Sequence, residues 1–254
     1  MVRGFYEIGS GIMAQNKVLD TISNNLANAN TTGYKAQNTV TTSFENMLTA
    51  MLGTDQYGND VGKYLYDRAY INVVSDTYTN FAQGAVEQTD RKLDFCISGN
   101  GFFQIRTDDG GRYYTRNGEF DLDEEGYLYL AGAGRVQNVN GQDIYLGTDN
   151  IVCSSNGELY NEDTGAYYGQ IALYDFEDLH TLVEYNNSMY ETDSVPFAAN
   201  GTLANQMLES SNIDMAEEIT SAMQAQNLIQ SQANILQMYA DILNEGSTRI
   251  SKIL

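Results

Sequence analysis

Near the start of the chain, apolar residues recur in alternating steps of three and four: Phe5, Ile8, Ile12, Leu19, Ile22, Leu26 and Ala29. Polar Gln15 is the one interruption. That spacing predicts an amphipathic helix over residues 2–30. Phe5, Ile12, Leu19 and Leu26 form one heptad row, and Ile8, Gln15, Ile22 and Ala29 form the other. The stripe is narrow, and Gly9 and Gly11 each weaken the helix by about 1 kcal/mol relative to Ala. Such a helix is marginal alone and needs a partner along its stripe. Gly33, after Asn30-Thr31-Thr32, is placed to supply a left-handed C-cap.

The other end of the chain repeats the pattern. Over residues 214–254, Ala222, Ile229, Leu236, Leu243 and Ile250 make one heptad row. Ile219, Gln226, Ala233, Ala240, Ser247 and Leu254 make a smaller, partly polar companion. Asp214 and Glu217 have capping-box spacing and suit the helix dipole. At ~1.5 Å per residue this helix runs about 60 Å, and Gly246 is the residue placed to interrupt it.

Between the ends the texture changes. Leu93-Asp94-Phe95-Cys96-Ile97-Ser98 alternates apolar with mostly polar residues. Phe103 shares a face with Ile105, and Ile171 with Leu173. Asn-Gly occurs at Asn100, Asn117, Asn140, Asn156 and Asn200, and Glu125-Gly126 and Asp109-Gly110-Gly111 add further turns. Asn-Gly between alternating runs is a hairpin signal. The bridge before this region carries Phe44, Met47, Leu48, Met51 and Leu52 at helical spacing, followed by a polar loop over residues 53–62. The fold expected is α+β: long N- and C-terminal helices forming a coiled-coil-like layer, with a central, mostly antiparallel β domain. The boundaries expected are 1–35 for the first assembly helix, 36–68 for a connecting segment with a short helix and loop, 69–208 for the β domain, and 209–254 for the second assembly helix.

Charge narrows the partners. With 34 acids against 13 bases the chain carries −21, and no Lys or Arg falls between Val136 and Thr248. That balance disfavours nucleic acid and anionic membranes, which need cations to meet phosphate. No run approaches the ~20 apolar residues of a membrane span, so no membrane insertion is expected. The first residues carry one base, and their apolar positions are broken by Glu7, Ser10, Gln15 and Asn16, unlike a cleaved secretory signal.

Candidate chemistry is sparse. His180 is the only histidine, and a surface or turn position suits it better than a triad or a metal centre. Cys96 and Cys153 have no Cys-x-x-Cys spacing and read as buried small apolar residues. Asp121-Leu122-Asp123-Glu124-Glu125-Gly126 opens like a calcium loop, but Gly132 stands where the bidentate Glu is needed. Gly9-Ser10-Gly11-Ile12-Met13-Ala14 matches the dinucleotide fingerprint formally, and no strand is read ahead of it. A carboxylate pair for glycoside hydrolysis has no Trp beside it to build a sugar platform. No cofactor, metal or catalytic residue is expected, and the chain reads as non-enzymatic.

One stretch is more specific. Ser23-Asn24-Asn25-Leu26-Ala27-Asn28-Ala29-Asn30-Thr31-Thr32-Gly33-Tyr34-Lys35 resembles the N-terminal signature of the bacterial flagellar basal-body rod and hook proteins, with Thr32 where the family usually has Pro. Further similarity lies at Gly84-Ala85-Val86-Glu87-Gln88-Thr89, at Asp94 to Phe103, at Tyr114-Thr115-Arg116-Asn117-Gly118-Glu119-Phe120, and at Ser211-Asn212-Ile213-Asp214-Met215-Ala216-Glu217-Glu218. The resemblance implies an axial structural subunit of the flagellar basal body, exported through the flagellar export apparatus without a cleaved signal. Its implied partners are copies of itself and other rod and hook proteins. It points to the distal rod, with a proximal-rod subunit as the alternative. The implied assembly surface is Phe5, Ile8, Ile12, Leu19, Ile22 and Leu26 with Ile219, Ala222, Ile229, Leu236, Leu243 and Ile250. The family signature is Ser23, Asn24, Asn25, Leu26, Ala27, Asn28, Asn30, Gly33, Tyr34 and Lys35. From the residues alone, a secreted adhesin-like protein on a helical stalk is the competing reading.

Overall fold

The computed structural model describes residues 2–44, 52–54, 60–62, 71–107, 109–186 and 188–251. These form two helices and a set of antiparallel sheets. The chain divides into two compact units: Met1–Asn24, Gln37–Tyr78 and Ala216–Leu254 make the first, and Asn25–Ala36 with Thr79–Met215 the second.

The first unit holds the helices. Helix α1 runs Val2–Ala27 and helix α2 runs Met215–Ser251, so the periodicity found both. Glu217 and Glu218 sit in the first turn of α2, where carboxylates complement the exposed N–H groups. Gly246 does not break α2; the helix continues through it. Gly33 has the left-handed backbone anticipated for it (φ 68°), yet it lies six residues beyond the end of α1 and caps nothing there. Its N–H instead donates to the Glu209 carbonyl at 2.7 Å.

The strand Gln37–Phe44 pairs with Ile71–Thr79, and Leu52–Thr54 pairs antiparallel with Asp60–Gly62. Phe44 and Leu52, two of the residues read as a short helix, therefore belong to strands; Met47, Leu48 and Met51 lie outside the described residues. The strand Ile71–Thr79 lies in the first unit as far as Tyr78.

The second unit is built on a nine-stranded sheet. Its main path runs Val183–Asn186, Met189–Glu191, Arg112–Thr115, Phe102–Arg106, Gly134–Val136, Leu128–Leu130 and Phe120–Leu122, every pairing antiparallel. The Phe102–Arg106 strand separates two cores. Phe103 and Ile105 join Phe95, Ile97, Phe120, Leu128, Val136 and Leu159 on one side. Phe102 joins Tyr114, Phe176, Leu182 and Tyr190 on the other. The strand is buried on both faces from Phe102 to Ile105, which is why its sequence shows little alternation.

The Asn-Gly pairs divide into two kinds. Those at Asn140 and Asn156 close tight turns, with Gly141 and Gly157 donating back to Asn138 and Ser154. Those at Asn100, Asn117 and Asn200 link strands that do not pair with each other. At two of them the glycine serves close backbone approach: a Cβ on Gly118 would lie 1.8 Å from the Phe95 carbonyl oxygen, and one on Gly201 would lie 2.5 Å from the Asn100 carbonyl oxygen. The acidic run at Asp121–Gly126 is a hairpin turn. Asp123 accepts from the Glu125 and Tyr127 N–H groups and from Arg135, whose guanidinium also lies over the Tyr127 ring. His180 is exposed on a short 3-10 turn capped by Asp178.

Candidate assembly site

The signature is divided between exposed residues at the end of α1 and buried residues beyond it. After α1 ends, the chain turns through Asn28 and Thr31 and then buries Gly33, Tyr34, Lys35 and Ala36 in succession. Tyr34 is 2% exposed and its hydroxyl donates to Asn25 Oδ1, itself buried, at 3.4 Å. A buried lysine needs an anion close by, and Glu209 supplies it. Lys35 Nζ lies 2.5 Å from Glu209 Oε1, with both side chains fully buried, and donates also to the Ala82 carbonyl at 2.8 Å. Glu209 Oε1 accepts from the Gly84 N–H at 2.9 Å, and its Oε2 lies 3.5 Å from Arg116 Nη1. Burial pulls the Lys35 ammonium below its ordinary pKa, and the hydrogen bond to Glu209 works against that pull. Burial likewise lowers Arg116, with Glu209 opposing.

Beside this charge node sits an amide clamp. Asn212 Oδ1 accepts from the Ala36 N–H at 2.8 Å, while its Nδ2 donates to the carbonyls of Asn80 and Ala82 at 2.8 and 3.0 Å. The Asn80 N–H in turn donates to the Ala36 carbonyl. Two glycines are required by the packing. A Cβ on Gly33 would lie 2.4 Å from the Asn117 nitrogen, and one on Gly84 would lie 2.0 Å from the Ser210 carbonyl oxygen. The node thus brings Lys35 and Gly33 of the signature together with Gly84, Arg116, Glu209 and Asn212. The sequence reading gave none of the last four a role, although Gly84, Arg116 and Asn212 fall inside the blocks of further similarity. Ser23, Asn24, Leu26, Ala27 and Asn30 stay exposed, and Ser23 Oγ donates to the Leu19 carbonyl within α1.

The helix rows take different places within the first unit. On α1, Gly11, Ala14, Thr21 and Ile22 are buried. Ile8, Ile12 and Leu19 are half-buried, while Leu26, which lies in the second unit, is exposed. On α2, Ala225 is buried and Glu218, Ala222, Ile229, Gln232, Leu236 and Tyr239 are half-buried, a row in steps of three and four. Ile219 and Leu243 are exposed, at 48% and 47%. The side chains of Phe5 and Ile250 lie outside the described ones. A Cβ on Gly11 would meet Gln232 Nε2 at 2.9 Å, so the two helices come together where α1 has no side chain.

Among the described residues, no group of three or more His, Cys, Asp or Glu is placed to hold a metal ion, and no helix is long and apolar enough to cross a membrane. Cys96 and Cys153 are free thiols, and burial pushes them up to about 11 and about 12.

Three family patterns match the chain in order. They are described as "Flagella basal body rod protein" over residues 6–35, "Flagellar hook protein FlgE/F/G D1 domain" over 96–164, and "Flagellar basal body rod FlgEFG protein C-terminal" over 204–249. The flagellar basal-body rod protein FlgG of Bacillus subtilis is 31% identical, covering 96% of this chain and 98% of its own length. The flagellar basal-body rod protein FlgF of Caulobacter vibrioides is also 31% identical, covering 95% of each. The flagellar hook protein FlgE of Helicobacter pylori is 36% identical over 63% of this chain, which is 23% of the hook protein.

Proposed function

The chain belongs to the flagellar basal-body rod family, and on that premise we propose that it is a structural rod subunit whose terminal helices pack with those of neighbouring subunits in a coiled-coil-like layer. The observation that carries this reading is the contrast between the two units. The second unit encloses two complete apolar cores. In the first unit the helices leave Met13, Ile219 and Leu243 in water, and apolar stripes on long helices are stabilised by covering them.

The assembly surface is the set Phe5, Ile8, Ile12, Leu19, Ile22, Leu26, Ile219, Ala222, Ile229, Leu236, Leu243 and Ile250. Its partners are copies of this chain and other axial proteins of rod and hook, after passage through the flagellar export apparatus. The distal rod is the place favoured by the blocks at Gly84–Thr89 and Asp94–Phe103. A proximal-rod subunit is the second reading, and the chain is equally identical to the rod proteins named FlgG and FlgF. Basal bodies from a strain lacking the chain test both, because the length at which the rod stops separates distal from proximal. Leu26→Asp or Leu243→Asp, both at exposed sites, is expected to abolish rods and motility with the β domain still folded. Normal basal bodies in a motile strain carrying either variant would refute the reading.

A further inference from the structure

Five asparagines stand immediately before a glycine, at Asn100, Asn117, Asn140, Asn156 and Asn200. Such a pair carries a reactivity of its own. The glycine nitrogen attacks the Asn side-chain carbonyl carbon within one chain, so the step is unimolecular, and glycine brings no Cβ to crowd it. A fold permits the attack only under three conditions. The glycine N–H must be open to water so that its proton can leave. It must not be held by an acceptor. The Asn side chain must be free to swing toward it.

Four of the pairs fail these conditions. The Gly141 N–H donates to the Asn138 carbonyl at 2.9 Å, and the Gly157 N–H to the Ser154 carbonyl at 2.8 Å. Both turns are pinned again by amides, with Gln137 Nε2 donating to the Gly141 carbonyl and Gln170 Nε2 to the Asn156 carbonyl. At Asn117 the side chain is engaged, its Oδ1 accepting from the Glu119 N–H at 2.9 Å, and Gly118 is buried against the Phe95 carbonyl. Asn100 is exposed, but Gly101 is buried, with the Ala199 Cβ 2.8 Å from the place its own Cβ would take.

Asn200 differs on every count. It is exposed, Gly201 is only half-buried, and neither belongs to a helix or strand. Among the described residues, neither the Asn200 side chain nor the Gly201 N–H has a hydrogen-bond partner.

We propose that Asn200 is a modification site, at which the folded chain converts asparagine to aspartate and isoaspartate without an enzyme. The Gly201 nitrogen loses its proton to hydroxide and forms a bond to Asn200 Cγ. The Cγ–Nδ2 bond breaks, ammonia leaves, and a cyclic imide closes. Water then opens the imide at either carbonyl. Opening at Cγ gives Asp; opening at the main-chain carbonyl gives isoaspartate, whose backbone runs through the former side chain. The sum is one water taken up and one ammonia released, with no change of oxidation state. Each event adds a carboxylate at the surface, and isoaspartate also adds a methylene to the backbone just ahead of the strand Thr202–Asn205. The chain is anchored on both sides of that joint, where the Ala199 N–H donates to the Leu173 carbonyl and the Leu203 N–H to the Ser155 carbonyl. The change therefore stays local.

The test uses the full wild-type chain, kept folded near pH 8 and sampled over days. Chymotrypsin cleaves after Phe197 and Leu203, so the peptide 198–203 reports Asn200 alone among the asparagines. Its gain in mass measures conversion, and labelling by an isoaspartyl methyltransferase identifies isoaspartate. Asn200 is expected to convert about tenfold or more faster than Asn140 and Asn156, the effect of turns held closed by ~1.4 kcal/mol. In guanidinium chloride, where every N–H is open, the five pairs are expected to react at similar rates. Conversion of Asn140 or Asn156 as fast as Asn200 in the folded chain would overturn the assignment. So would an Asn200 that survives in the folded chain while the unfolded chain reacts at all five.

Discussion

The charge node around Glu209 makes an unequal demand on its members, and that inequality is measurable. The node holds two cations, Lys35 and Arg116, against one anion. Glu209→Gln keeps the shape, and the new amide oxygen still faces Lys35 and the Gly84 N–H. What disappears is the negative charge that the two buried cations share. Removing one partner of a buried pair in this way costs about 3–5 kcal/mol. Lys35→Met leaves a different balance. Glu209 retains Arg116 and the Gly84 N–H, and the Ala82 carbonyl retains its hydrogen bond from Asn212. The node becomes neutral, and the loss is about 1–2 kcal/mol of hydrogen bonding.

Urea unfolding of the full chain resolves the two. The chain has no Trp, so near-ultraviolet circular dichroism of buried tyrosines such as Tyr34 and Tyr190 is the probe. With a slope of about 1–3 kcal/mol per M urea, the Glu209→Gln midpoint should fall by about 1 M or more, and clearly further than that of Lys35→Met. The pH dependence carries a sign as well. Lys35 titrates below its ordinary value in the folded chain. Between that lowered value and 10.5 the unfolded chain holds a proton the folded one has released, so this group makes stability rise with pH. Glu209→Gln removes the negative charge that opposes the lowering, so its deficit against wild type should narrow as the pH is raised toward 10. A Lys35→Met variant as unstable as Glu209→Gln, or a Glu209→Gln deficit that widens with pH, would refute this electrostatic account.

Three further outcomes follow from named contacts. Gly33→Ala places a Cβ against the Asn117 nitrogen at a left-handed backbone position and should cost more than about 2 kcal/mol by urea titration. Gly9→Ala, where nothing lies within 4 Å, should instead add about 0.5–1 kcal/mol and raise helicity at 222 nm. Asn212→Ala removes three hydrogen bonds at once and should cost about 2–4 kcal/mol by urea titration. Cys96 and Cys153, pushed up to about 11 and about 12, should resist thiol reagents at pH 8 until the chain unfolds. Because their folded values exceed the unfolded one, the stability they contribute is complete below about pH 9 and is lost as the pH climbs toward 11–12. Cys153→Ala should flatten that decline.

What the sequence disclosed was the part of the fold that depends on local repetition. Helical period shows in any eleven residues, so α1 and α2 were legible nearly to their ends. Which row faces inward was not. On α2 the half-buried row adds Glu218, Ala225, Gln232 and Tyr239 to Ala222, Ile229 and Leu236, because close approach at Gly11 is governed by size as much as by apolarity. The β domain announced itself through alternation and turns, yet three of five Asn-Gly pairs join strands that never pair with each other. The node was out of reach for a plainer reason. Lys35 and Glu209 are 174 residues apart, and a charged residue in a sequence reads as solvated until a fold brings its partner to it.

The node also explains why a family signature should consist of asparagine, glycine, tyrosine and lysine in place of an exposed recognition motif. The chain passes between its two compact units after Asn24, Ala36, Tyr78 and Met215. Three of those passages begin within three residues of atoms that Asn212 or Lys35 holds: Ala36, Asn80 and Asn212 itself. Those three stretches of chain are held by hydrogen bonds and, at Lys35, by a buried ion pair. An exposed pair would be screened and worth little there. A buried one, with Glu209 enclosed by Lys35, Arg116 and Gly84, yields only if all of its partners move together.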